Sequence, residues 1–181
     1  MIREAVPFEY PAMYEASVAL KGGSKLFLRP IRPSDAPLLI DLFHKLSPRS
    51  IYMRFLSPLR QLPEGWARRL ATVDYVRDFA LVGVIEEGPG EAIVAVGRYA
   101  SDPEKDRAEL AVVVRDDWQG RGLGRLVLAR VIEIARENGI GRFDAVVDHE
   151  NSTVMGIIDE LGYPHRVRTE QGAYYVEIEA Q

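Results

Sequence analysis

Residues 110–130, LAVVVRDDWQGRGLGRLVLAR, run from an apolar strand through a glycine-rich turn into an amphipathic helix. The turn is Gln119-Gly120-Arg121-Gly122-Leu123-Gly124. Glycine takes backbone conformations barred to other residues and lets a ligand approach closely. The first N–H groups of the following helix have no partner within it and carry the positive end of its dipole. Such a site attracts an anion, most often a phosphate. Arg121 and Arg125 add formal positive charge beside those amides.

The kind of phosphate follows from the spacing. A dinucleotide fingerprint needs G-x-G-x-x-G after the first strand of a βαβ unit. Gly120, Gly122 and Gly124 are spaced G-x-G-x-G and lie deep in the chain. A Walker loop ends in Gly-Lys-Ser/Thr, and Gly124-Arg125-Leu126 does not. The run from Gln119 through Gly122 to Gly124 instead resembles the Q-x-x-G-x-G acyl-CoA pyrophosphate signature of GNAT acetyltransferases.

The remaining composition narrows the chemistry. A chain of 181 residues is long enough to bury one full core. With 47% hydrophobic and 28% charged residues it has the mixture of an ordinary soluble globule. A net charge of −4 argues against nucleic acid as the main partner. The absence of cysteine excludes disulfides and an acyl-cysteine intermediate. His44, His149 and His165 lack metal-ligand spacing, so no metal is expected. No apolar run is long enough to span a bilayer, and Met1-Ile2-Arg3-Glu4-Ala5 lacks a signal-peptide character. A cytoplasmic protein without membrane contact is the expectation.

Residues 1–23, with Pro7, Pro11, Gly22 and Gly23, read as an arm preceding a single domain over 24–181. Leu26 to Arg32 reads as a strand. Ser34 and Asp35 supply N-cap chemistry for a helix to His44, Ser47-Pro48 opens a second, and Pro63 opens a third carrying Trp66 and Leu70. Phe79–Ile85 and Ala92–Tyr99 form a hairpin, and Ala108–Arg115 is a further strand. After the turn come a helix to about Asn138, a strand at Phe143–Val147, a helix at Asn151–Leu161 closed by Gly162, and two final strands. Hairpins followed by a β-α-β-α-β tail predict an α/β (α+β) fold: one mixed sheet flanked by helices.

This order of elements around QGRGLG resembles the GNAT fold. The stretches LRPIRPSDAPLLIDLFHKLSPRSIYMRF, AVGRY, RAELAVVVRDDWQGRGLG and HENSTVMGIIDELGY resemble bacterial protein lysine acetyltransferases that modify acyl-CoA synthetases. They also resemble the GNAT domain fused to ADP-forming acyl-CoA synthetase-like proteins. The likeness covers roughly residues 25–165, and the arm looks like the linker to a preceding domain. It implies acetyl-CoA as cosubstrate and an amine as acceptor, preferably a protein lysine, plausibly on an acyl-CoA synthetase.

Transfer to an amine requires a neutral nucleophile, and a free lysine has a pKa near ~10.4. A positioned general base typically contributes ~10²–10⁴-fold. Glu109, at the start of the strand leading into the turn, stands at the motif position of the family's base; an isolated glutamate there would ordinarily be only a solvated strand end. The resemblance seats the pyrophosphate on Gln119, Gly120, Arg121, Gly122, Leu123, Gly124 and Arg125. It also places at Val112, Val113 and Val114 a bulge that admits the pantetheine and an oxyanion-binding N–H. Asn151 is either the pantetheine ligand or a helix N-cap, and the two roles are compatible. Where many members carry a tyrosine as general acid, this chain has Ile158. Arg115-Asp116-Asp117 reads as a solvated turn, Trp118 as packing beneath the cradle, and His149 as a partly buried ring with a satisfied hydrogen bond. Tyr52, Arg54, Phe55 and Trp66 lie in the helices that wall the substrate side. The alternatives are a small-molecule amine acetyltransferase, favoured by a closed acceptor tunnel over an open shelf, and a non-catalytic CoA-sensing module.

Overall fold

The structure, a computed structural model, describes residues 8–181. Its centre is an eight-stranded sheet in the order β1-β2-β3-β4-β5-β6-β8-β7. The strands are β1 (Ala16–Ala19), β2 (Lys25–Pro30), β3 (Asp78–Glu87), β4 (Gly90–Asp102), β5 (Arg107–Val114), β6 (Arg142–Asp148), β7 (His165–Glu170) and β8 (Ala173–Glu179). All neighbours are antiparallel except β5 and β6, so the sheet is mixed, as the pattern predicts. The helices are α1 (Ala36–His44), α2 (Pro48–Phe55), α3 (Glu64–Ala71), α4 (Leu123–Glu137) and α5 (Ser152–Leu161). No helix among the described residues is long and apolar enough to cross a membrane.

Strands β3 and β4 read as near-continuous apolar runs because both their faces are covered. One face carries α4, which buries Leu123, Val127, Leu128, Val131 and Ile132 along one stripe. Helix and sheet approach closely at Gly97: a Cβ there would lie 2.5 Å from Val127 Cγ1. On the other face, the Arg98 guanidinium of β4 donates to the Leu70 carbonyl of α3 at 3.3 Å. Tyr99 is fully buried, stacked on Phe79 at 5.9 Å, and its hydroxyl donates to the Val76 carbonyl.

Two local expectations change. The stretch read as an irregular arm contributes β1, an edge strand paired with β2 through Val18↔Leu26 and Ser17↔Phe27. Four short residues with half-buried alternation leave little periodic signal. Asp35 does not cap α1; its carboxylate turns back to accept from the Arg32 N–H and bidentately from Arg29, and both charged side chains are buried. The start of α2 follows the reading, with Ser47 Oγ accepting from the Ser50 N–H and Pro48 at the first helical position.

Candidate active site

β5 and β6 pair at only two positions, Ala108↔Phe143 and Glu109↔Asp144. Beyond Glu109 the strands diverge, while β5 stays registered on β4 without interruption from Arg107 to Val114. The expected bulge at Val112, Val113 and Val114 is therefore absent. The sheet's irregularity lies in β4, where Val94 is the extra residue opposite Gly83 and Val84. The opening arises instead from divergence of the parallel pair. The Arg115 N–H bonds to the Val94 carbonyl, so by alternation the main-chain groups of Val112 point away from β4 into the gap.

Two cavities occupy this gap. One of about 380 Å³ lies at the glycine turn, bounded by Val112–Val114, Gln119, Gly122–Arg125 and Asn151. The other, about 230 Å³, is lined by Glu109, Leu110, Ala111, Val112, Val146 and Ile158. They share Met53, Arg54, Val112, Asn151 and Val154, which makes them one continuous groove. From Glu109 to Val114 the strand advances roughly 17 Å. An extended pantetheine arm spans such a distance.

The glycines of the turn divide their work. Gly120 and Gly122 have φ of 73° and 79°, left-handed values that an L side chain resists, and a Cβ on either would meet open space. Gly122 is the N-cap of α4. Gly124 is a packing glycine: a Cβ would sit 3.2 Å from Ile157 Cδ1, where α4 meets α5. The Gln119 side-chain amide donates to the Val114 carbonyl at 3.0 Å and to Ser50 Oγ at 3.2 Å, tying the turn to the strand end and to α2.

Arg121 departs from the expectation of a cation at the cradle. Its guanidinium donates to Ser24 Oγ and the Asp117 carbonyl and covers the Trp118 ring at 4.5 Å, so only its main chain belongs to the turn. Arg125 does line the groove, ion-paired with Glu160 at 3.3 Å. Arg49 of α2 also lines it, a cation that the sequence reading passed over because it lies far from the glycine motif.

Arg115-Asp116-Asp117 is a turn whose two aspartates are exposed, as expected, but which is tied together by the buried Arg115. Arg115 is buried, chelating Asp117 through Nε and Nη2 and reaching Glu87 through Nη1. The Asp116 carboxylate accepts from the Ser47 N–H at 3.0 Å and from Ser50 Oγ at 3.1 Å, fastening α2 against the turn. Burial opposes the Asp116 charge, but the Ser47 and Ser50 hydrogen bonds outweigh it and hold its pKa below the usual carboxylate value.

Asn151 is the N-cap of α5: its Oδ1 accepts from the Val154 N–H at 3.2 Å. It borders both cavities, and its Nδ2 bonds to no described residue. Ile158 is buried against the Glu109 cavity. His149 is exposed, its Nδ1 2.7 Å from the Gly172 carbonyl. Arg54 stands half-buried where the cavities meet. Burial and neighbouring Arg98 lower its pKa to about 10, against the opposing pull of Glu109.

Residues 25–164 match the acetyltransferase (GNAT) domain. The chain belongs to the GNAT acetyltransferase family. Family membership makes it an acetyl-CoA-dependent acetyltransferase. It is 31% identical over 163 residues to the acetyltransferase Pat of Mycolicibacterium smegmatis, covering 90% of this chain and 48% of that protein. The chain thus spans about half of that relative's length. An acetyltransferase of Pseudomonas aeruginosa is 28% identical over 145 residues, 80% of this chain and 78% of that one. The crystal structure of the GNAT domain of S. lividans PAT superposes with a TM-score of 0.84 at 32% identity, covering 94% of this chain and 99% of that domain.

Proposed function

We propose that this acetyltransferase moves an acetyl group from acetyl-CoA to a protein lysine by direct attack in a ternary complex, acting in the cytoplasm. The catalytic domain in this reading is residues 24–181 together with β1 (Ala16–Ala19), which completes the edge of its sheet. The observation that carries it is the place of Glu109: the last β5 residue paired with β6, on the wall of a groove continuous with the glycine turn.

In this mechanism the pyrophosphate rests on the main-chain amides around Gly122, Leu123, Gly124 and Arg125, with Arg49 and Arg125 at the rim. Gln119, Gly120 and Arg121 shape the turn, and the pantetheine runs along Val112, Val113 and Val114. The free Asn151 Nδ2 is available to a pantetheine carbonyl while Oδ1 keeps its capping bond. The Glu109 carboxylate takes the proton from the lysine ammonium, directly or through water, and the neutral nitrogen attacks the thioester carbon. The Val112 N–H points into the gap where an oxyanion would form. Collapse breaks the C–S bond, the new amide nitrogen gives its second proton to solvent, and CoA is released. With Ile158 in the usual acid position, CoA leaves as thiolate, which a thiol pKa of roughly 8.5 permits.

An open acceptor side supports a protein substrate. Leu56 and Val146 line the Glu109 cavity and are 36% and 37% exposed, so the cavity meets solvent at their edge. The similarity to Pat of M. smegmatis and to PAT of S. lividans is consistent with that reading, and the sequence's resemblance to acetyltransferases that modify acyl-CoA synthetases makes such a synthetase the preferred partner. The test is incubation with acetyl-CoA and a panel of acyl-CoA synthetases and small amines, read by mass spectrometry. Acetylation of one synthetase lysine is expected; transfer to small amines alone would overturn the reading.

A further inference from the structure

We infer that α2, the α2–α3 loop and α3 form a docking shelf for an acidic protein surface, so that the lysine acetylated is one set among aspartates and glutamates. The inference rests on the protein-lysine reading above and names the surroundings of that lysine. Residues 47–71 carry five arginines, Arg49, Arg54, Arg60, Arg68 and Arg69, against the single carboxylate Glu64, in a chain of net charge −4. Among the described residues only Arg68 of these five has an ion-pair partner, Glu64 at 3.6 Å, with side chains 69% and 78% exposed. Arg60, Arg68 and Arg69 are exposed and lie outside the groove that Arg49 and Arg54 line, so they form the part of the shelf left to an acceptor. By contrast Arg107, Arg115, Arg125 and Arg130 each hold a carboxylate. Lys21, Lys25, Arg77, Arg136 and Arg166 also lack ion-pair partners among the described residues, but residues 47–71 gather four such arginines in one short stretch of a net-negative protein.

The same stretch exposes aromatic surface. Tyr52 and Trp66 are 41% and 40% exposed, and Trp66 stacks at 6.4 Å on Phe55, which lines the Glu109 cavity. Exposed aromatics interleaved with arginines are the composition of protein–protein hot spots. The opposite side of the gap has different chemistry: Arg107 already holds Asp144 of β6 and reaches Glu177 of β8. The two sides therefore orient an incoming surface, its carboxylates toward the arginine shelf and its lysine toward Glu109. A nucleic acid would meet the same arginines, but the overall negative charge disfavours it.

The experiment compares acetylation of a peptide carrying one lysine flanked by glutamates, its glutamine counterpart, and a small primary amine, at saturating acetyl-CoA. The acidic peptide is expected to show kcat/KM roughly tenfold higher, as several exposed ion pairs acting together allow. Rising salt should shrink that advantage. The double variant Arg60→Glu/Arg69→Glu should reverse the preference while small-amine acetylation stays unchanged; Arg60→Gln/Arg69→Gln, a milder change, should abolish it. Equal kcat/KM for the two peptides would overturn the shelf and leave the lysine reading standing. So would an oligonucleotide that competes as strongly as the acidic peptide. Acetylation of the small amine with neither peptide modified would overturn both.

Discussion

Glu109 of β5 sits opposite Asp144 of β6, and theirs is the last pairing between the two strands before they part. The Asp144 carboxylate is held by Arg107 at 2.9 Å, two residues before Glu109 on the same strand. Glu109 has no hydrogen-bond or ion-pair partner among the described residues and is exposed at the groove. One carboxylate of the pair is fastened, and the other faces the groove, where the proposed reaction brings the amine.

The turn gives the first test. At Gly122 a Cβ meets open space but the backbone is left-handed, so Gly122→Ala should cost roughly 1–2 kcal/mol of stability. Gly122→Val places further methyls beside the amides at the start of α4 and should lower acetyl-CoA affinity at least about tenfold, about 1.4 kcal/mol. Gly124→Ala should leave affinity nearly unchanged, because Ile157 Cδ1 is the flexible end of its side chain. Calorimetry on the three variants decides; full affinity in Gly122→Val would move the pyrophosphate elsewhere.

The Arg29–Asp35 pair fixes the entry to α1. Both side chains are buried, joined by bonds of 2.7 and 2.8 Å, and Asp35 also holds the Arg32 N–H. Asp35→Ala leaves the buried guanidinium only Glu91, at 3.6 Å and half exposed, as a counter-charge, and should cost about 3 kcal/mol. Denaturant unfolding measures it; a loss under about 1 kcal/mol would show that solvent or another group replaces Asp35.

Acid should loosen the turn. The hydrogen bonds from Ser47 and Ser50 to Asp116, and from Arg115 to Asp117, hold both carboxyl groups below their ordinary pKa. A folded pKa below the unfolded value near ~3.9 means that the unfolded chain binds more protons in this range. The associated stability is present above that value and lost as pH falls through the folded pKa. Asp116→Asn should flatten the acid limb of a stability–pH curve and weaken acetyl-CoA binding, since α2 and Gln119 lose their common anchor. An unchanged acid limb would remove Asp116 from that role.

What could be read from the residues alone follows their distance along the chain. The turn was legible because Gln119 to Gly124 are contiguous, while Glu109 stands out only by its position in the motif that the sequence resembles. The Asp116–Ser50 anchor joins residues 66 apart and has no local pattern. Arg121 reads as a groove cation, yet its partner Ser24 lies 97 residues away and turns it outward. The gap was expected from a bulge in β5, but it comes from how far β6 follows its neighbour, which the register of two strands decides. β1 escaped notice because Ala16–Ala19 offers one sizeable apolar side chain, Val18, to an edge.

The central claim is that Glu109 removes the proton from the acceptor amine, and the pH–rate profile of Glu109→Gln tests it most directly. Acetyl-CoA affinity, measured by calorimetry, should be retained, while kcat at neutral pH falls by ~10²–10⁴-fold. The deficit should narrow as pH rises toward the amine's own pKa near ~10.4, where a free base is already present. A Glu109→Gln enzyme with the wild-type rate and profile would contradict the account.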